Sequence, residues 1–458
     1  MSLPQLLSAA TGELALFAGV GFFLFAIDDL AVDLIYFTRT FWRSATVYRH
    51  FPRAFADRLP PPTGRIAVLV PAWDESAVIA PMLRAALARF DHPDYRLYVG
   101  HYRNDPATAA AIASVADPRV RAIDIGVDGP TTKADCLNRL YAAMTADEVA
   151  DAHRFKAVVL HDAEDVVDPL ELRLFDRLVE RAAVVQLPVV PLLDPGSRWV
   201  AGHYADEFAE AHVKELVVRE AVGAAIPLAG VGCGLERGAL DRLAARHDGR
   251  PFADASMTED YEMGLRLGAL GLKTMFVRMA AGTGGGAVVA SRGHFPTTMG
   301  AAVRQKARWI GGIAMSGWDR LGWTGGLGER WFRMRDRRGP MAAVLLAVGY
   351  LAALLWGQLA LARALGAPVG FTPSPGLRLL LLANAVLLAW HVAMRMIFTA
   401  YAYGLGEGLR ALPRLLVGNV IAIAASWRAA RLHFGGGPRQ WDKTAHTFPR
   451  ELPAMGRS

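Results

Sequence analysis

Residues 161–169 read HDAEDVVDP and place four carboxylates, Asp162, Glu164, Asp165 and Asp168, within seven positions. They follow directly on the apolar run 157–160. Negative charge bunched at the end of a buried strand is costly unless something positive sits against it. Asp162 and Glu164 are two residues apart, so in extended chain both side chains point to one side. Such a pair beside a ligand crevice can hold a divalent cation. Asp165 then points the opposite way, and spacing assigns it no role. Asp168, Pro169 and Glu171 have the order of N-cap, first and third positions of a helix over 169–182, which reads Asp168 as a capping residue.

A second acidic cluster is Thr258-Glu259-Asp260-Tyr261-Glu262. Ser256 and Glu259 have capping-box spacing ahead of a helix over 261–270, a structural explanation for Glu259. Asp260 is a candidate general base, with the attraction of a helix start for anions as the competing reading. A third cluster is Gln305-Lys306-Ala307-Arg308-Trp309. Gln305, Arg308 and Trp309 can share one helix face. The Arg fork suits phosphate oxygens, and the Trp ring offers a flat face for a sugar. The competing reading is a helix at the membrane interface, where Arg and Trp are common.

The elements that must position these groups alternate. Strand patterns at 65–70, 97–100, 120–125 and 156–160 are interleaved with helical patterns, including 134–144. That order predicts a parallel, helix-covered α/β sheet. Ligands bind such sheets at the carboxyl ends of the strands, where Asp74-Glu75, Asn104-Asp105 and Asp162-Glu164 all fall. No Gly-x-Gly-x-x-Gly and no P-loop follows the first strand, which excludes the usual dinucleotide and NTPase readings.

The rest of the chain is apolar in blocks. Hydrophobic residues make up 53% and mean hydropathy is +0.23, the mark of a part-soluble, part-membrane chain. Residues 14–37 are long enough to cross a bilayer. Thirteen residues without Lys or Arg precede them, so the segment reads as an uncleaved anchor rather than a signal peptide. Asp28 and Asp29 interrupt it and must face protein or an interface. Two more spans are predicted at 341–361 and 377–401, the latter broken by His391 and Arg395. The stretch 409–433 has an uncharged core of only 415–427 between arginines, which predicts an interfacial amphipathic helix. Arg39, Arg43, Arg49, Arg53 and Arg58 follow the first span, and Arg330, Arg333, Arg335, Arg337 and Arg338 precede the second. By the positive-inside rule, residues 60–335 lie in the cytoplasm and the N-terminus lies outside. The formal net charge of +7 is mostly this membrane-flanking arginine, so a nucleic-acid partner loses its support. Cys136 and Cys233 form neither a disulfide framework nor a zinc spacing.

An aspartate after the first strand, a D-x-D-like pair, T-E-D and Q-x-x-R-W occur in that order across residues 62–315. This ordered set resembles family 2 glycosyltransferases of the GT-A fold, the group that includes cellulose and hyaluronan synthases. The words VPAWDES, YRNDPAT, HDAED, TEDYEMGLRL, RQKARWIGGIAMSGW and WDKTAHTFP are similar to the phage-adsorption type of inner-membrane glycosyltransferase within it. The resemblance implies an α/β GT-A cytoplasmic domain (nucleotide-diphospho-sugar transferase) with a mainly parallel sheet, joined to transmembrane helices. It implies a membrane anchor and linker over 1–60, the catalytic domain over 61–335 and a membrane region over 336–458. Pro71, Asp74, Glu75 and Asp105 would border the nucleoside, with Lys133 and Asn138 nearby. Asp162 and Glu164 would hold Mg2+ or Mn2+ on the donor diphosphate. Asp260 would be the base, and Gln305 and Arg308 would steady the diphosphate. Trp309, Glu259 and Cys233, the last in GVGCGLERGAL, would meet the acceptor.

Glu164 stands where that family has a second Asp, and Trp73-Asp74 where it commonly has Tyr-Asn. The type also carries a further C-terminal cyclic-di-GMP-binding domain, for which the residues up to 458 are too few. The implied function is a membrane-bound inverting glycosyltransferase. It would extend a glycan or exopolysaccharide from a nucleotide sugar, a UDP-sugar foremost, at the cytoplasmic face of the bacterial inner membrane. Its partners would be the donor, the glycan acceptor, the bilayer and an outer-membrane or periplasmic export protein. The alternatives are transfer of one sugar to a polyprenyl-phosphate lipid, and a non-enzymatic membrane scaffold or phage-adsorption factor.

Overall fold

A computed structural model describes residues 3–254, 256–283, 287–435, 446–449 and 451–452. Nine strands are present among them: β1 Ile66–Pro71, β2 Tyr95–His101, β3 Val120–Asp124, β4 Ala157–Leu160, β5 Val184–Gln186, β6 Val189–Pro191, β7 Cys233–Glu236, β8 Thr274–Phe276 and β9 Ser291–Gly293. Seven form one sheet in the order β3-β2-β1-β4-β7-β5-β8, with β6 and β9 paired separately. All neighbours are parallel except β7, which runs antiparallel to both β4 and β5.

The continuous apolar run of β1 is the pattern of a strand covered on both faces. Ile66, Val68 and Val70 enter one core with Ile79, Met82 and Leu83 of the helix Ile79–Arg89 and with Leu172, Leu174 and Phe175. Ala67 and Leu69 enter the opposite core with Leu137, Leu140 and Met144 of the helix Lys133–Ala150. Each fully buried Val, Leu or Ile contributes about 1.5–3 kcal/mol to holding these layers. The helix predicted over 169–182 is shorter, Glu171–Leu178. Asp168 therefore lies outside the cap position. Its carboxylate accepts from Leu170 N–H (3.2 Å) and from Arg292 Nη1 (3.1 Å) instead.

Among the described residues, four helices are long and apolar enough to cross a membrane: Gln5–His50, Gly339–Ala364, Pro375–Tyr403 and Leu405–Phe434. Asp28 and Asp29 do not face lipid. They pair with Arg335 and Arg338 of the juxtamembrane segment, Asp29 Oδ1 lying 3.0 Å from Arg335 Nη2, and Trp331 Nε1 donates to Asp28 Oδ1 (2.5 Å). The arginines at 333, 335 and 337 are buried, so they take part in packing. Arg395, which breaks the third apolar stretch, reaches Glu210 of the helix Val200–Glu210 at 3.2 Å. The stretch predicted as an interfacial helix over 409–433 is one thirty-residue helix that continues through Pro413. One side of it lies on the helices Val200–Glu210 and Met299–Ile310: Ile421 packs with Tyr204 and Ala302, and Ala425 and Ala429 with Ala307.

Candidate active site

The carboxyl ends of β1 and β4 open into a cleft of about 240 Å³. Its walls bring together Pro71, Glu75, Lys133, Asp162, Glu164, Glu259, Asp260, Gln305, Arg308 and Trp309. Asp74, Asp105, Asn138 and Cys233 are not among its lining residues.

The turn after β4 is built around a buried imidazole. His161 Nδ1 lies 2.8 Å from Asp165 Oδ2, and its Nε2 2.5 Å from Glu171 Oε1. Burial alone would push His161 down, but the carboxylates of Glu171 and Asp165 outweigh it and lift the group to about 10. Asp165 Oδ2 also accepts from the Asp162 N–H at 3.0 Å. Asp165, to which spacing assigns nothing, thus fixes the backbone that presents Asp162 and Glu164.

Each acid of the run meets its own positive partner. Lys133 Nζ lies 2.5 Å from Asp162 Oδ1. Burial opposes the Lys133 charge, yet Asp162, Glu259 and Asp260 hold its pKa raised. Thr132 caps the Lys133 helix by accepting from Asp135 N–H at 3.1 Å. Further along the same helix, Asn138 Nδ2 donates to Phe252 O (2.9 Å) and Asp254 Oδ1 (2.6 Å). Asn138 therefore ties that helix to the loop leading into Thr258.

The loop after β1 is held by a similar device. Asp105 Oδ2 accepts from Asp74 N–H (2.6 Å), and Thr108 Oγ1 accepts from Glu75 N–H (2.9 Å). Asp74 adopts φ +54°, a left-handed conformation that needs such support. Asp74 and Asp105 shape the loop, while Pro71 and Glu75 face the cleft.

The helix Glu259–Ala269 presents its first turn to the cleft. The capping box expected between Ser256 and Glu259 does not form: Thr258 is the N-cap, and Ser256 Oγ donates to Glu262 Oε1 at 2.5 Å. Glu259 is thereby left to line the cleft. Burial, then the neighbouring Asp260 charge, pushes Glu259 up to about 7. Burial also raises Asp260, with Lys133 opposing. Gly230, at φ +80°, passes so close to Asp260 Oδ2 that a Cβ there would collide with it. Cys233, three residues on, is buried within β7 beside Leu160. Gln305, Arg308 and Trp309 do share the cleft-facing side of the helix Met299–Ile310. Trp309 packs edge-on to Tyr204 with ring centres 6.2 Å apart.

The tail contributes groups that spacing alone does not reveal. In the word WDKTAHTFP, residues 441–445 lie outside the described residues, but His446 and Thr447 line the cleft. His446 Nδ1 is 2.8 Å from Glu75 Oε1 and 3.3 Å from Glu164 Oε2. The second approach is not aligned as a hydrogen bond, and Glu164 Oε2 is a buried oxygen without one among the described residues. Burial pushes Glu164 up to about 8. Six carboxylates among the described residues, Glu75, Asp162, Glu164, Asp165, Glu259 and Asp260, line this cleft with Lys133, Arg308, His294 and His446. That surplus of hard oxygen donors suits a divalent cation.

Comparison with known proteins agrees with this geometry. Residues 61–312 match the family described as "Glycosyltransferase like family 2". "Bacteriophage adsorption protein B" of Escherichia coli (strain K12) is 38% identical over 466 residues, 95% of this chain and 62% of that protein. "Bacteriophage N4 adsorption protein B" of Escherichia coli O157:H7 gives the same figures, 38% over 95% and 62%. The chain thus spans 62% of the length of these curated relatives. Among solved structures, a mannosyltransferase from Pyrobaculum calidifontis, in complex with GDP-Man and Mn2+, aligns at a TM-score of 0.50. It is 15% identical and covers 88% of this chain and 98% of its own, a likeness of fold. The cleft, the sheet that carries it and the family match converge: the chain belongs to the family 2 glycosyltransferases, with the GT-A fold.

Proposed function

We propose that the protein is a membrane-bound inverting hexosyltransferase that extends a glycan from a nucleotide sugar, with a UDP-sugar as the leading donor. One observation carries this reading: Asp260, the Asp162/Glu164 turn and the Gln305-Arg308-Trp309 face, distant in sequence, share one cleft. Pro71 and Glu75 border the nucleoside end. Gln305 and Arg308 bind the diphosphate, where the Arg fork meets developing charge. Asp162 and Glu164 would hold Mg2+ or Mn2+, and the buried Glu164 oxygen without a hydrogen bond fits that role. When bound, the cation neutralises the departing diphosphate. Asp260 accepts the acceptor hydroxyl proton. Its burial raises its basicity above that of an exposed aspartate. Trp309 offers its face to the acceptor sugar, with Glu259 beside it. The arginine distribution supports a cytoplasmic catalytic domain and an outside N-terminus in a bacterial inner membrane. Export of a finished glycan would need a further periplasmic or outer-membrane partner.

The test is product analysis with full-length protein in detergent, a panel of nucleotide sugars and Mn2+ or Mg2+. A sugar-only product that lengthens with time is expected. One sugar on a polyprenyl phosphate would instead support single transfer, and no turnover of any donor would support a scaffold.

A further inference from the structure

A second cavity, of about 760 Å³, shares no lining residue with the cleft. The helix Gln5–His50, the turn into β8 and the loop ahead of the helix Leu327–Arg337 bring Arg39, Lys273 and Gly326 to its wall. Its volume is that of a small-molecule site, about 300–1,000 Å³. We propose that it binds the phosphate-bearing headgroup of an anionic phospholipid. Its occupancy depends on membrane attachment and not on the transfer chemistry of the cleft.

The cavity holds a surplus of positive charge. Arg333 Nε lies 2.8 Å from Glu329 Oε1, so that pair cancels. Glu220 is the other carboxylate among the described lining residues, and Arg39, Lys273 and Arg43 all act on it. Burial, the larger effect, still raises the Glu220 carboxyl. Three cations thus face one acid whose own charge is disfavoured by burial. Neither Arg39 nor Lys273 forms an ion pair or a side-chain hydrogen bond among the described residues. Arg43, one helical turn on from Arg39, lies over the Tyr48 ring at 5.2 Å, and its Nε is buried without a hydrogen bond among those residues. Guanidinium and ammonium groups in this state around a concave space suit phosphate oxygens.

The surroundings favour a lipid as the source of the phosphate. The first apolar stretch ends at Phe37, two residues before Arg39. Arg39, Trp42 and Arg43 are three and four apart and share a helix face. Phe41 and Trp42 are exposed, and so is Leu327, the neighbour of Gly326 in the cavity wall. Cations interleaved with exposed aromatic and apolar side chains are the pattern of a bilayer surface, where acyl chains cover the one and headgroups meet the other. A soluble phosphate would leave those side chains in water.

Dioctanoyl phosphatidylglycerol, titrated into the full-length protein in a nonionic detergent at fixed ionic strength, is the probe, with native mass spectrometry counting the lipid bound. One molecule should saturate the wild type. Arg39→Gln and Lys273→Gln should each weaken binding about fivefold, and the double variant roughly twentyfold. Both side chains are without ion pairs, so neither change removes a contact that holds the fold. Arg49→Gln removes the same charge from the same basic run outside the cavity and should bind as the wild type does. Glycerol phosphate, the headgroup without its chains, should compete at least about tenfold less well than the lipid. Equal losses in Arg49→Gln and Arg39→Gln would mean diffuse attraction and overturn the proposal. Unchanged binding in the double variant, or glycerol phosphate binding as tightly as the lipid, would overturn it too, the last marking a site for soluble phosphate.

Discussion

Burial raises the basicity of Asp260, while Lys133 and the Tyr261 N–H at the start of the helix Glu259–Ala269 oppose that rise. The Asp260 carboxylate is half-buried, accepts from the Tyr261 N–H at 2.7 Å and faces Lys133 across the cleft. Asp260→Asn should cut turnover by roughly 10²–10⁴-fold, the usual contribution of a general base. Donor binding, measured by titration with a nucleoside diphosphate, should stay within about twofold, since the amide keeps the shape. Burial raises both Asp260 and Glu259, so the ionised form of the pair is depleted as pH falls through their folded pKa values. kcat/KM should therefore decline on the acid side of neutrality, along a limb that an exposed carboxylate would place far lower. Residue types and spacing reveal Asp162, Glu164, Asp260 and the Q-x-x-R-W face. They do not reveal Asp165 and His161, because their work is hydrogen bonding inside a turn whose path no periodicity dictates. Asn138 and Asp105 illustrate the converse: their side chains hold loops rather than line the cleft.

At the scale of elements, the strands that end in the site were readable because continuous apolar runs between polar turns leave little choice. Their bounds fall within two residues of the pattern. The short strands β5 to β9 were not, since three or four residues give no period and β7 depends on neighbours distant in sequence. The helix over 405–434 shows another limit. Its arginines suggest a surface position, yet Arg414 is buried against Asp206 at 2.8 Å. Packing on the catalytic domain, invisible in one dimension, absorbs that charge. The same holds for Asp28, which sequence marks only as expensive in lipid. Arg335→Ala leaves Asp28 and Asp29 with one fewer cation and should lower stability by about 3–5 kcal/mol, as for other broken buried pairs. Thermal unfolding in detergent checks this, and an Asp28→Ala/Arg335→Ala double variant less damaged than the sum of the singles would confirm the coupling.

Across the whole molecule, the catalytic domain is clamped to its membrane helices by ion pairs rather than by a linker. Lys214 reaches Asp33 of the first membrane helix at 2.5 Å and Glu210 at 2.7 Å. The domain should therefore keep a fixed orientation to the bilayer, with its acceptor end set by the helix Met299–Ile310. The proposed topology predicts that alkaline phosphatase fused after Leu365 is active, outside the cytoplasm. A fusion after Gly435 should be inactive if the helix Leu405–Phe434, which packs on Tyr204, Ala302 and Ala307, lies along the membrane surface without crossing it, and the reverse pattern would invert the topology. Donor turnover by this cleft is the central claim. Purified wild type with Mn2+ should release nucleoside diphosphate from at least one nucleotide sugar in the presence of acceptor, and Asp260→Asn should do so at least about a hundredfold more slowly. Equal rates in the two proteins, or no release from any donor by the wild type, would contradict it.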